Sequence, residues 1–247
     1  MSIQRKSKAF HKWLMLFMGL QFVVWSFTGL FMVVMDIDYI HGDNLIRNQP
    51  VHLSQAEFTK VNYSINQLFD KHPYAESVEL TKLLDKPVYR FKVDKKPYLI
   101  DADNGKSLTP ISKAKALRIA KSVYLQSAED NVFFNIKNIT YIEFTAPYEL
   151  NARHLPVWQV NLDDFASSSI YIGANNGLIV TKRHGYWRAF DWMFSFHVMD
   201  YAEEDVSNKL LLVFVIISLI ASAFGVVLSY YKIIKPLIHK RGIDEAN

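Results

Sequence analysis

Eight histidines and no cysteine set the chemistry open to this 247-residue chain. Without thiolates there are no disulfides, iron–sulfur clusters, thiolate zinc sites or covalent CxxCH haem. A redox metal would be held by imidazole, and the natural candidate is b-type haem. In its low-spin electron-transfer form, haem takes two axial nitrogens on opposite faces of one iron. His52, His72 and His154 stand in polar stretches and read as surface residues. The other five stand near two uncharged apolar runs, Trp13–Met35 and Leu210–Tyr231. His11 and His41 flank the first run, and a continuous helix would put them about 45 Å apart, on opposite faces of a bilayer. His184 and His197 precede the second run and His239 follows it. Pairing by depth gives His41 with His197 on one side and His11 with His239 on the other.

His197 is the strongest of these. Trp187 to Tyr201 reads as a helix with Phe190, Met193, Phe194 and His197 on one face. There the imidazole could ligate haem while Phe190 and Phe194 pack the macrocycle. The alternative is an interfacial helix whose aromatics belong to the membrane belt. His41 stands just past the first run, with Gly42 leaving room beside it. Asp36, Asp38 and Asp43 follow the first run, and Glu203, Glu204 and Asp205 precede the second. Hard carboxylate oxygens suit ferric iron, although the same acids also describe a solvated collar at a membrane exit. No Gly-rich phosphate loop, H-E-x-x-H, G-x-S-x-G or dinucleotide fingerprint occurs. Electrons would therefore come from a quinol in the bilayer or from a cytoplasmic flavin donor.

The elements that must position these residues follow from the apolar runs. Each is long enough for the ~20 residues that span a hydrocarbon core. The first is too long for a signal-peptide core and lacks a small-residue cleavage site after it, so an uncleaved span is expected. Residues 1–12 carry four cations and no acid, and residues 232–247 carry four cations against two acids. The net charge of +4 thus resides in the tails, which fits a membrane better than nucleic acid. The positive-inside rule places both tails in the cytoplasm and the middle domain on the far side, the periplasm of a bacterium. Small residues recur along both spans, at Gly19, Ser26 and Gly29 and at Ser218, Ser222, Gly225 and Ser229. Such stripes let helices approach closely. They either face each other within one chain or build a homodimer with haem in a four-helix interface, the preferred reading.

The first helix is expected to open near Phe10 and to run on as far as Tyr39. Ser54 with Glu57 forms a capping-box pattern for a helix to about Lys71. Strands are expected at Ser77–Leu83, Val88–Val93 and Tyr98–Asp101, then a helix over Lys113–Gln126. Further strands follow at Ile139–Phe144, Val157–Asn161, Ser169–Ile172 and Leu178–Lys182. The middle region repeats itself. Pro87-Val88-Tyr89 matches Pro156-Val157-Trp158, and Asn104-Gly105 matches Asn176-Gly177. The expectation is an α+β membrane protein in which two spans flank two copies of one small unit packed face to face. Its divisions are tails at 1–12 and 234–247, a span with its extension at 13–41, repeats at 42–110 and 111–184, an interfacial helix at 185–208 and a second span at 209–233.

The unit of helix, strand, Pro-Val-aromatic strand, strand and Asn-Gly turn resembles the PepSY domain. The flanking segments resemble PepSY-associated transmembrane proteins. In those, the first span opens with His-x-Trp, as His11-Lys12-Trp13 does. It carries Thr-Gly near its far end, as Thr28-Gly29 does. An aromatic, histidine-bearing preface leads into the last span, as Trp192 to His197 does. The resemblance covers nearly the whole chain. It implies a haem-b electron-transfer protein of the bacterial inner membrane that reduces ferric iron, or a ferric chelate, on the periplasmic side. A ferrous iron transporter would be its downstream partner. Other PepSY domains are protease propeptides or regulators. The alternative is therefore a non-catalytic, membrane-anchored module that binds or regulates a protease or assists a membrane complex.

Overall fold

The computed structural model describes residues 3–43, 46, 53–124, 135–200 and 208–236. It is an α+β protein with a long apolar helix at either end and two small antiparallel sheets between. The chain forms two compact units, Met1–Met35 with Ala189–Asn247, and Asp36–Arg188.

In the first unit, helix α1 (Ile3–Val34) pairs with α7 (Lys209–Ser229), which continues as a π turn over Tyr230–Ile234. By length and composition Phe10–Val34 and Lys209–Ile234 are each apolar enough to cross a membrane. The two run antiparallel: Phe10 meets Phe224 and Phe17 stacks on Phe214, with ring centroids 5.9 and 5.3 Å apart. On α1 the buried or half-buried positions include His11, Leu14, Met18, Gln21, Trp25 and Thr28. On α7 they include Leu211, Phe214, Ser218, Ala221, Gly225 and Leu228. Alternating steps of three and four make each set one helix face, as in a coiled-coil seam. Ser218 and Gly225 lie on this seam, whereas Ser222, Ser229 and Ser26 are exposed. A Cβ on Gly19 would meet nothing within 4 Å. The small residues thus divide between the seam and the outer surface.

The expected extension of α1 to Tyr39 does not form. The helix stops at Val34 because Asp36 turns extended (ψ 124°) and its carboxylate accepts the Tyr39 amide, capping a separate one-turn helix α2 (Ile37–Ile40). An acid placed to cap can restart a helix inside an otherwise helical pattern. Gly42, at φ +73°, ends α2 in the left-handed region. The helix expected over 54–71 likewise divides into α3 (Gln55–Phe58) and α4 (Ile65–Lys71). The Ser54–Glu57 capping box is present, but Ser64 and Gln67 form a second one. Between them the Tyr63 amide donates to Ala102 O, which holds the backbone out of helix.

Strands β1 (Glu76–Leu83), β2 (Lys86–Val93) and β3 (Lys96–Asp101) form the first sheet in sequence order. Helix α5 (Lys113–Val123), capped by Ser112, ends where Tyr124 turns extended and bridges Ile46. The second sheet is β4 (Ile136–Ile142), β5 (Val157–Leu162), β6 (Ser169–Gly173) and β7 (Ile179–Arg183), again in order. Alternation along the strands gives each sheet two apolar faces. Tyr89, Phe91 and Ile100 pack with Leu68 of α4, and Val157 and Tyr171 with Leu150. The opposite faces share one core, where Leu83, Val88 and Leu99 meet Val160, Ile170, Ile172 and the buried face of α5.

The repeat seen in the sequence recurs in the hydrogen bonding. Ala102 N donates to Pro87 O, and Ala174 N to Pro156 O. Tyr89 Oη donates to Tyr63 O at 2.9 Å, and Trp158 Nε1 to Ile111 O at 2.9 Å. Tyr63 and Ile111 each precede the serine that caps α4 or α5, and their amides donate to Ala102 O and Ala174 O. The recurrent aromatic therefore ties the middle strand to the start of its own helix. The repeats differ at their exits. After Gly177 the chain forms β7, whereas after Gly105 it makes only an isolated bridge from Ser107 to Ile100. There the Thr109 hydroxyl takes the part of a strand residue, accepting the Leu99 amide at 2.8 Å and donating to Asn175 O.

Candidate functional site in the apolar helices

Helix α6 (Gly185–Val198) carries His197 two residues before Met199, whose φ of +55° ends it. The His197 ring rests on α1. Its Nδ1 lies 3.0 Å from Thr28 Oγ1, and a Cβ on Gly29 would come within 3.3 Å of its Cε1. Thr28 is 3% exposed, and its hydroxyl lies 2.8 Å from Val24 O, one turn back. A hydroxyl has one proton to give. With that proton on the Val24 carbonyl, Thr28 accepts from His197 Nδ1–H, and the lone pair of the neutral imidazole resides on Nε2. Fixing a histidine tautomer through its other nitrogen is how metal-binding imidazoles are oriented. Gly29 provides the space, since any side chain there would crowd the ring.

His11 stands at the other end of α1, against Gly225 of α7, where a Cβ would lie 3.5 Å from Cε1. Its Nδ1 is buried without a hydrogen-bond partner among the described residues, as are Gln21 Nε2 and Trp25 Nε1 on the same seam. Between His11 and Thr28 the helix rises about 26 Å, so His11 and His197 cannot serve one iron. On α6, Phe190 and Met193 are half-buried with His197, but Phe194 is 48% exposed, beside exposed Trp192 and Phe196. The aromatic face expected around His197 is thus divided.

His41 belongs to the sheet unit. It is exposed and caps α2, its amide donating to Ile37 O while the Gly42 amide donates to Tyr39 O. Asp36 is engaged as the cap of α2. Asp38 is exposed. Asp43 is paired with Lys182, whose hydrogen bond and charge hold its carboxyl below the usual range. Among the described residues no three histidine or acidic side chains converge as a metal site. His239, Glu203, Glu204, Asp205 and His52 lie outside the described residues. His72 caps α4 and stacks on Phe91 at 5.0 Å, and His154 accepts from Arg153 Nε at 3.1 Å.

His184 is engaged at both nitrogens. Trp187 N donates to Nδ1 at 3.2 Å, so Nε2 carries the proton and donates to Tyr39 O at 2.8 Å. The ring is 2% exposed, and burial holds its pKa below the ordinary histidine value. Beside it lies a network that sequence reading did not find. Glu149, with its side chain 5% exposed, receives Arg188 Nε at 2.7 Å, Arg188 Nη2 at 3.1 Å and Tyr171 Oη at 2.6 Å. Arg188 also reaches Ser167 O and Ser169 Oγ. Burial, with the Glu149 carboxylate beside it, pushes the Tyr171 hydroxyl far up, keeping it a neutral donor. Both carboxylate oxygens of Glu149 and all three guanidinium nitrogens of Arg188 thus have partners among the described residues.

Comparison with protein-family models, with curated proteins and with solved structures gave no match for this chain.

Proposed function

We propose that this chain is a two-span inner-membrane protein that binds haem b and reduces ferric iron, free or chelated, on the periplasmic side in support of ferrous iron uptake. The observation that carries this reading is the Thr28–His197 contact, which leaves Nε2 of a half-buried imidazole as a free donor. Gly29 beside it and the resemblance to PepSY-associated transmembrane proteins support the same reading. Bound haem would supply the one-electron ferric/ferrous couple, with the electron drawn from quinol or a cytoplasmic flavin. His197 would be an axial ligand at the outer end of the helix pair and His11 a ligand at the inner end. Each gives one nitrogen per chain, so the second ligand at each end would come from His41, from His239 or from another copy. A homodimer meets that need, and the outward-facing Ser222 and Ser229 suit close helix approach.

Purification in mild detergent from haem-replete cells tests this directly. The expected product is red, with a Soret band that shifts on adding dithionite. His197→Ala abolishes the outer haem, and full haem content in that variant refutes the ligand assignment. A colourless wild-type preparation refutes the reading as a whole and leaves a membrane-anchored PepSY module without redox chemistry.

A further inference from the structure

The sheet unit contains a cleft of about 610 Å³ between the tip of the first repeat and the start of α5. Its lining includes Leu83 and Val88, both buried, and the half-buried Leu108. Lys86, Lys106 and Lys115 also line it, with Arg118. Two carboxylates are present, and both are engaged: Asp85 pairs with Arg118 at 3.6 Å, and buried Asp101 accepts the Asp103 amide within its own turn. Among the described residues, none of the three lysines pairs with a carboxylate within 4 Å. Helix α5 adds to the field. It carries Lys113, Lys115, Arg118 and Lys121 and no acid, and its first turn lacks the carboxylate that usually offsets the positive end of a helix dipole. The hairpin tip is also held in an uncommon conformation, with Leu84 at φ +58° and lining the same cleft.

We infer that this cleft is a binding site for a small organic polyanion with an apolar body. The unpaired ammonium groups meet the anionic oxygens, and Leu83, Leu84 and Leu108 meet the ring or chain that bears them. Uncompensated cations around a concavity raise the local concentration of anions. The concave shape and apolar lining distinguish a small-molecule site from a flat basic face for lipid headgroups. The proposal is independent of haem binding and is read by a separate measurement.

The test is calorimetric titration of the full chain, in nanodiscs of zwitterionic phosphatidylcholine, with benzene-1,2,4-tricarboxylate. Saturable binding that weakens with added salt is expected. Lys106→Gln and Lys115→Gln should each weaken it about tenfold or more, as for a charge-assisted hydrogen bond. Lys115→Arg should retain it. Citrate, with three carboxylates but no ring, should bind more weakly. No saturable binding, or binding indifferent to either glutamine variant with far-UV circular dichroism unchanged, overturns the proposal. Equal affinity for citrate overturns the apolar half of it. Capture of phosphatidylglycerol vesicles without tricarboxylate binding also overturns it, assigning the lysines to a lipid surface instead.

Discussion

His184 and His197 stand near opposite ends of one helix, yet the protein treats them in opposite ways. At His184 the backbone takes both nitrogens, Tyr39 O on one side and the Trp187 amide on the other. At His197 a single side chain, Thr28, takes one nitrogen. Around His184 the charged groups also answer one another, through Glu149, Arg188 and Tyr171. Along the α1 seam, His11, Gln21 and Trp25 leave buried nitrogens without partners among the described residues. If α1 crosses a membrane, as proposed above, these groups cost more than they would in a sheet protein, because no water can satisfy them. The lesson is that burial alone does not mark a functional histidine. A ring with both nitrogens engaged is a structural pin, and a ring oriented through one nitrogen keeps a lone pair for the ligand proposed above.

Substitutions at Glu149, Thr28 and His184 break or sharpen that contrast. The largest effect is expected from Glu149→Ala, which removes the carboxylate from Arg188 and leaves it only Ser167 O and Ser169 Oγ. Loss of one partner of a buried pair should cost about 3 kcal/mol or more. Thermal unfolding of the full chain checks this, and an unchanged melting temperature would show that water already reaches Arg188. Next is Thr28→Val, which keeps shape but removes the acceptor of Nδ1–H. If haem binds at His197, its retention should weaken about 10–100-fold, as for other partners that orient a metal-binding histidine. Haem titration followed at the Soret band reads this, while His184→Ala should leave haem affinity unchanged.

The smallest effect is on pH dependence. Burial lowers the pKa of folded His184, with the Arg188 and Arg183 charges acting the same way. The unfolded chain takes up that proton near the ordinary value of about 6.5. More protons are then bound unfolded than folded, so stability is full above that value and declines as pH falls below it. The decline ends once folded His184 also protonates. His184→Gln should flatten the stability profile in this window relative to the parent chain, as measured by chemical unfolding from pH 7.5 to 5.

Much of this was legible in the sequence because the signals were local. Charge-free runs marked α1 and α7, and the Pro-Val-aromatic and Asn-Gly pairs marked the repeats. The aromatic within that motif proved to carry the bond that closes each repeat. The breaks at Asp36 and Tyr63 were not legible, since a cap inside a helical pattern competes with continuation, and at Tyr63 the decision rests on a distant carbonyl, Ala102 O. His197 and Thr28-Gly29 were each visible as motifs, but the contact joining them spans 169 residues. Glu149 had no sequence signal at all. Its role comes from Tyr171 and Arg188, which only the tertiary fold brings to it.

The unequal exits of the two repeats bear on how this protein avoids aggregation. A three-stranded sheet has two open edges, and an open edge is a template for another chain. By lending its hydroxyl to Leu99, Thr109 fills a ladder position that a fourth strand would have taken, while Leu108 N donates to Leu99 O. The second repeat closes the same side with a true strand, β7. The short segment 107–109 is thus a guard on the edge of β3. A variant that loosens it would be expected to show its defect first in recovery of monodisperse protein, before any loss of the fold.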